Sequence, residues 1–310
     1  MLVMRFLWQT ERRKTERIMP VSAGSWCGYW GGRRDRVRRM DWCGRVVLYR
    51  IDQLRQLNRF HTHPHNTAFL DRVDFETVPA PLDGNDVFEL ETAPDGGGGG
   101  GAAAVVTIRG SSPLALATGL GWYLRYYCKA FPGSWDNRVV DGRPTGRQLE
   151  TVDPERLPGV VPMLRRHAAV RWRYYMNVCT VSYSMVWWDW SRWEEELDWM
   201  AMSGINLALA FTGQELVWTQ LFESYGMARK DLLDGWFTGP AFLAWQRMGN
   251  IQKWGGPLSF RGFVEAQHQL QLRILARMRL LGITPVLPAF AGFLPQAFVD
   301  RLPANVSVTR

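Results

Sequence analysis

From about residue 174 to residue 290 the chain alternates between short apolar runs and longer stretches whose apolar residues recur every three or four positions. No other feature constrains the fold as much, because it dictates strands and helices in turn. Residues 174–182 read as a strand. Trp190, Trp193, Leu197 and Met200 form the stripe of a following helix. Ser191-Arg192-Trp193-Glu194 supplies a capping box, Glu194, Glu195 and Glu196 occupy the positive first turn, and Gly204 is a left-handed stop. Residues 205–211 are almost continuously apolar, as a strand buried on both faces requires. Phe263, Leu270, Ile274, Met278 and Leu281 stripe another helix ended by Gly282, and residues 283–290 are the next strand, weakened by Pro285 and Pro288. The order is βαβαβ, that of a parallel α/β architecture.

Upstream the texture differs. Residues 72–78 and 87–91 alternate apolar and polar positions, and 104–109 form a third such run, so three strands are predicted. Leu114, Ala117, Leu120, Leu124 and Tyr127 then recur at helical spacing behind Ser111-Ser112-Pro113, where a serine caps and the proline sits in the first turn. These elements make a small α/β domain over residues 68–152. A Pro-bearing linker follows over 153–167, and the parallel α/β region occupies 168–310. The run Gly96 to Gly101 precedes a strand and no G-K-[ST], so it reads as a flexible linker rather than a phosphate cradle.

Residues 1–67 are an Arg-rich leader with no assignable fold. The first 50 residues hold 12 of the 37 Lys and Arg but 4 of the 29 Asp and Glu, leaving 25 of each sign in the remainder. The net charge of +8 therefore belongs to the leader, which reads as a solvated tail, with a nucleic-acid-binding arm as the rival. No nucleic-acid partner is expected of the rest. No apolar stretch approaches the roughly 20 residues of a membrane helix, so no membrane partner is expected. Met1 to Trp8 is too short for a secretory signal, and no export signal is read. Cys27, Cys43, Cys128 and Cys179 show no C-x-x-C spacing. His61, His63 and His65 lack an acidic or cysteine neighbour, and Pro64 interrupts them. No metal or cofactor is expected, and nothing sets an oligomeric state.

Catalytic and binding groups of a parallel α/β barrel project from the C-terminal strand ends. Period-two alternation puts Tyr175, Asn177, Cys179, Val181 and Tyr183 on one face of the first strand, where their polar tips serve either sugar hydroxyls or interior packing. Cys179 as a nucleophile needs a base in reach, and only His167 and His268 lie in this half, which favours packing or binding. Thr212-Gly213-Gln214-Glu215 follows the second strand; the Glu215 carboxylate either contacts a ligand or interacts with the dipole of the helix it opens. Aromatic residues concentrate at Trp187, Trp188 and Trp190 and again between Phe237 and Trp245. An indole face stacks on the C–H face of a pyranose, or it packs a core.

Several long strings in this half are shared with one family. Residues 173–184, Val186-Trp187-Trp188-Asp189-Trp190, residues 204–210, Gly213-Gln214-Glu215, residues 237–250 and residues 285–292 resemble, in order, the α-N-acetylglucosaminidases, glycoside hydrolase family 89. Residues 70–150 resemble that family's N-terminal domain more loosely. The resemblance implies a small N-terminal α/β domain followed by an incomplete (β/α)8 TIM barrel, with about three of the eight strand–helix units present. It also implies retaining exo-hydrolysis of terminal α-linked N-acetylglucosamine from heparan-sulfate-type glycans, in a lysosomal or secreted enzyme. Asn177, Cys179, Tyr183 and Trp245 match the family's sugar-binding positions, with Gln214 and Glu215 beside them, and Asn305 matches a glycosylation sequon. The family's two catalytic glutamates lie in Asn-Glu-Met and Pro-Glu-Gly contexts, and neither string occurs here. No catalytic residue is therefore assigned, and the chain alone is expected to be inactive. The rival is a carbohydrate-binding pseudoenzyme.

Overall fold

The computed structural model describes Phe69, residues 72–92, 105–130, 139–140, 143–144 and 152–303, Val306 and Val308. The basic leader with its histidine run, Gly96 to Gly101 and Asn305 lie outside the described residues.

The first sheet contains β1 (Val73–Thr77), β2 (Val87–Thr92), β3 (Val106–Gly110) and β6 (Leu164–His167) in the order β1-β3-β2-β6. β1 runs parallel to β3, and β2 is antiparallel to both β3 and β6. Helix α1 (Pro113–Tyr126) begins where the sequence places it: Ser112 accepts the Ala115 N–H and Pro113 occupies the first turn. The stretch read as a linker, 153–167, does not remain outside this sheet, because its last residues are β6. Leu164 is the one half-buried residue of that strand among three exposed ones, so no alternation announced it. β4 (Val139–Val140) and β5 (Arg143–Pro144) form a separate antiparallel pair.

The second sheet is wholly parallel, β7 (Tyr174–Tyr175), β8 (Leu207–Leu209) and β9 (Thr284–Val286), in the order β7-β8-β9. Between β7 and β8 lie α2 (Thr180–Tyr183), a 3-10 turn (Met185–Trp187) and α3 (Trp190–Met202). Between β8 and β9 lie α4 (Gln214–Ser224), α5 (Arg229–Gly235), α6 (Leu243–Arg247), a π-helical turn (Phe260–Glu265) and α7 (Ala266–Leu281). α8 (Gln296–Val299) follows β9. The βαβαβ order holds, and this is the opening of a parallel barrel.

Three local expectations are corrected. The first strand stops at Tyr175, because Met176 takes a left-handed backbone (φ 78°) and the chain turns into α2. Residues 205–211 and 283–290 contribute three strand residues each; the latter strand holds Pro285 at its centre, opposite Ala208, and ends before Pro288. α3 is capped by Asp189, whose carboxylate accepts the Arg192 N–H 2.9 Å away, so the capping box at Ser191 is not used. With the helix starting at Trp190, Glu194, Glu195 and Glu196 all lie beyond its first turn, and Glu196 is fully buried, accepting from the Tyr175 hydroxyl (2.8 Å) and paired with Arg192 (3.0 Å).

The two halves share one core, joined where α1 packs on α3. A Cβ at Gly121 would sit 2.2 Å from the Met202 carbonyl oxygen, so glycine permits the helices to approach this closely. Asp86 accepts from Ser112 and pairs with Arg173, which also donates to the Gly204 carbonyl, so the first sheet is tied to the start of β7. A buried Arg277–Asp198 pair (2.6 Å) ties α7 to α3.

Candidate active site

The C-terminal ends of three parallel strands face the same way, so the segments after Tyr175, Leu209 and Val286 converge on one mouth. After β7, Asn177 organises the turn: its side-chain oxygen accepts from the N–H groups of Cys179 (2.9 Å) and Thr180 (3.2 Å), and its carbonyl accepts from the Thr180 hydroxyl (2.7 Å). This Asx turn converts a would-be strand into α2. Asn177, Cys179 and Tyr183 are therefore not on one strand face, and the period-two argument for them is replaced by a helical one. Asn177 is exposed, Cys179 is half-buried, and Tyr183 is 70% exposed.

The Tyr183 ring meets Trp245 edge-on, centroids 5.7 Å apart and planes at 75°. A tether beneath them fixes the contact, since the buried Ser182 hydroxyl accepts the Ala244 N–H (2.9 Å), locking α2 to α6 one residue from each ring. The outer rings stay accessible while their backbones are held, which is the arrangement a stacking surface for a sugar needs.

After β8 the chain enters α4 through Gly213, whose backbone is left-handed (φ 67°) and whose absent Cβ would lie 2.6 Å from the Gln267 carbonyl and His268 Cα of α7. Only glycine satisfies both demands. Gln214 is half-buried at the first helical position. Glu215 is turned inward: 1% exposed, it takes Arg247 Nε at 2.8 Å and Nη2 at 2.7 Å on one oxygen. Arg247 in turn lies over the Phe211 ring at 5.7 Å. The carboxylate is thus committed to an ion pair joining α4 to α6 rather than presented at the mouth. Asp189, the carboxylate after α2, is committed to capping α3. Among the described residues no group of three His, Cys, Asp or Glu side chains is placed to hold a metal ion.

Sequence reasoning missed Ser182 and Arg247. An arginine two residues after Trp245 in an apolar tract was the available signal for the second. Ser182 carried none, because its role depends on a backbone group 62 residues away.

Three parallel strands with an aromatic mouth, preceded by a small α/β domain, are the opening of a (β/α)8 barrel, a fold that hosts many chemistries, and the comparisons identify which barrel this is. Residues 173–310 match the family described as alpha-N-acetylglucosaminidase (NAGLU) tim-barrel domain, and residues 62–158 match that enzyme's N-terminal domain. Human alpha-N-acetylglucosaminidase is 48% identical over 205 residues, 66% of this chain and 26% of its own length. A family 89 glycoside hydrolase from Clostridium perfringens, in complex with its substrate GlcNAc-alpha-1,4-galactose, superposes with a TM-score of 0.69 at 30% identity. It is matched over 84% of this chain and 26% of that one. The same bacterial enzyme in complex with PUGNAc gives 0.69, at 30% identity over 84% of this chain and 27% of that one. The chain belongs to the α-N-acetylglucosaminidases, glycoside hydrolase family 89, as their N-terminal domain and the first part of their catalytic barrel. It spans about a quarter of the length of these relatives.

Proposed function

We propose that this chain supplies the first wall of a pocket for a terminal α-linked N-acetylglucosamine, within a retaining exo-glycosidase acting on heparan-sulfate-type glycans in lysosomes or after secretion. The observation that carries the reading is the Tyr183–Trp245 contact at the barrel mouth, fixed from below by Ser182. In this reading Trp245 and Tyr183 take the apolar face of the sugar, while Asn177, Cys179 and Gln214 meet its hydroxyl and acetamido groups. Asn177 spends its carbonyl oxygen on its own turn and so offers its amide NH2 as a donor. Glu215 acts through Arg247, holding α6 and with it Trp245.

Retention of configuration requires two carboxyl groups about 5–5.5 Å apart, one as nucleophile and one as acid/base. In this reading that pair is not Glu215, which is paired with Arg247, nor Asp189, which caps α3, and with neither Asn-Glu-Met nor Pro-Glu-Gly in its sequence the chain by itself is expected to bind without cleaving. The binding-without-catalysis reading and the glycosidase reading thus describe the chain alone and the whole family member. Titration of the 310-residue chain with N-acetylglucosamine, followed by tryptophan fluorescence, is expected to show a saturable change. Release of product from an aryl α-N-acetylglucosaminide is expected to stay at the level of the blank. A flat titration would refute the pocket, and release above the blank would refute the division of labour.

A further inference from the structure

We propose that Phe293, in the segment after β9, is a positioning residue for Trp245. The proposal rests on the reading of Trp245 as a sugar-facing ring given above and adds what holds that ring from the third barrel strand. Trp245 stands on α6, a helix of five residues, too short to keep its place by its own hydrogen bonds. Its place is fixed from outside, and the segment after each barrel strand sends a contact to it. After β7 comes Ser182, whose hydroxyl accepts the Ala244 N–H. After β8 comes Glu215, paired with Arg247. After β9 comes Phe293, whose ring lies against the backbone of Gly249: a Cβ there would be 2.3, 2.4 and 2.6 Å from three consecutive ring carbons.

Gly249 ends the helix with a left-handed backbone (φ 78°). Its N–H donates to the Gln246 carbonyl (2.9 Å), and the turn it makes lets Asn250 N donate to the Trp245 carbonyl (2.9 Å). The peptide carrying the indole is thus bonded to the same turn against which the Phe293 ring is pressed. Any side chain at position 249 would strain the backbone and displace that ring, so the glycine and the phenylalanine belong to one contact. Phe293 has a fixed backbone of its own: Gly292 before it turns the chain (φ 89°), and Leu294 after it packs on the core. Ser182 therefore holds the start of α6, Glu215 its last residue, and Phe293 the turn beyond it. Without the Phe293 ring that turn loses its cover, and Trp245 gains freedom that sugar binding must then remove.

The test labels the 310-residue chain with fluorotryptophan and identifies the fluorine NMR resonance of Trp245, among 16 tryptophans, by its absence from Trp245→Phe. That resonance and the calorimetric affinity for N-acetylglucosamine are compared in the unsubstituted chain, Phe293→Ala, Phe293→Leu and Gly121→Ala. Phe293→Ala is expected to shift or broaden the Trp245 resonance and to weaken binding roughly three- to tenfold. Phe293→Leu, which refills most of the space, should restore most of both. Gly121→Ala, at the seam between the domains, lowers stability without touching α6 and should change neither, which separates positioning from a general loss of stability. A Trp245 resonance unmoved in Phe293→Ala, an affinity unchanged in it, or the same changes in Gly121→Ala would each overturn the proposal. Absence of sugar binding by the unsubstituted chain would refute the mouth pocket; the resonance, which needs no sugar, then decides alone whether Phe293 holds Trp245. Should Phe293→Ala not fold, Phe293→Leu takes its place, with a smaller displacement of the resonance expected and a superposable spectrum rejecting the proposal.

Discussion

Arg247 and Glu215 form a buried ion pair, Nε to Oε1 at 2.8 Å, that joins the helix carrying Trp245 to the helix entered from the second barrel strand. Removing one partner leaves an uncompensated charge in the interior, while removing both exchanges the pair for apolar packing. Glu215→Leu or Arg247→Met alone is expected to cost about 3–5 kcal/mol of stability, and the double substitution far less than the two together. Urea denaturation of the four proteins checks this. Additive losses would show that the two side chains do not act as a pair.

Ser182→Ala removes the acceptor for the Ala244 N–H and leaves a buried donor unmet. A loss of about 1–3 kcal/mol is expected. Because the tether lies one residue from both Tyr183 and Trp245, affinity for N-acetylglucosamine should fall with it. A thermal shift with unchanged sugar affinity would mean that Ser182 supports the fold but does not position the rings.

Gly121→Ala places a methyl group 2.2 Å from the Met202 carbonyl, in the seam between the first domain and the barrel. The helices must part, at about 1–3 kcal/mol. Limited proteolysis should then cut more readily between residues 152 and 173. A variant as stable and as resistant as the parent would show that the seam has slack.

Stability should fall at alkaline pH. Burial pushes the Cys128 thiol up to about 11 from 9.0, and burial, then the neighbouring Cys128, raises the Tyr123 phenol, whose hydroxyl donates to the Pro158 carbonyl. Both groups are neutral when protonated, so between the unfolded and folded values the native state holds protons that the unfolded chain has released. Their contribution is complete below about pH 9 and is lost as pH rises through the folded values, amounting to about 1–3 kcal/mol. Cys128→Ala should flatten the decline in urea midpoint from pH 8 to 11, and an unchanged slope would assign the decline to other groups.

How much of this was legible varies with the range of the interaction. The stripe ending at Gly282, the Ser112 cap and the parallel order of the three barrel strands follow from local periodicity and left-handed stops, and the chain adopts them. The Asx turn at Asn177 was hidden because Met176 has positive φ without being a glycine, so a strand pattern ran on past its end. The strand Leu164–His167 forms only through its partner β2, more than seventy positions upstream, and its residues carry no alternation. At the site, the resemblance supplied Asn177, Cys179, Tyr183 and Trp245, and the contact between the last two is a fact of geometry alone. The inward turn of Glu215 was equally unreadable, since its partner is 32 residues away.

The central claim is a sugar pocket whose aromatic wall is Tyr183 with Trp245. It is tested most directly by calorimetric titration of N-acetylglucosamine into the chain and into the Tyr183→Ala/Trp245→Ala double variant, each first shown to melt cooperatively. The account predicts saturable one-site binding to the chain and at least a tenfold loss in the variant, about 1.4 kcal/mol or more. Equal binding by the two proteins would contradict it.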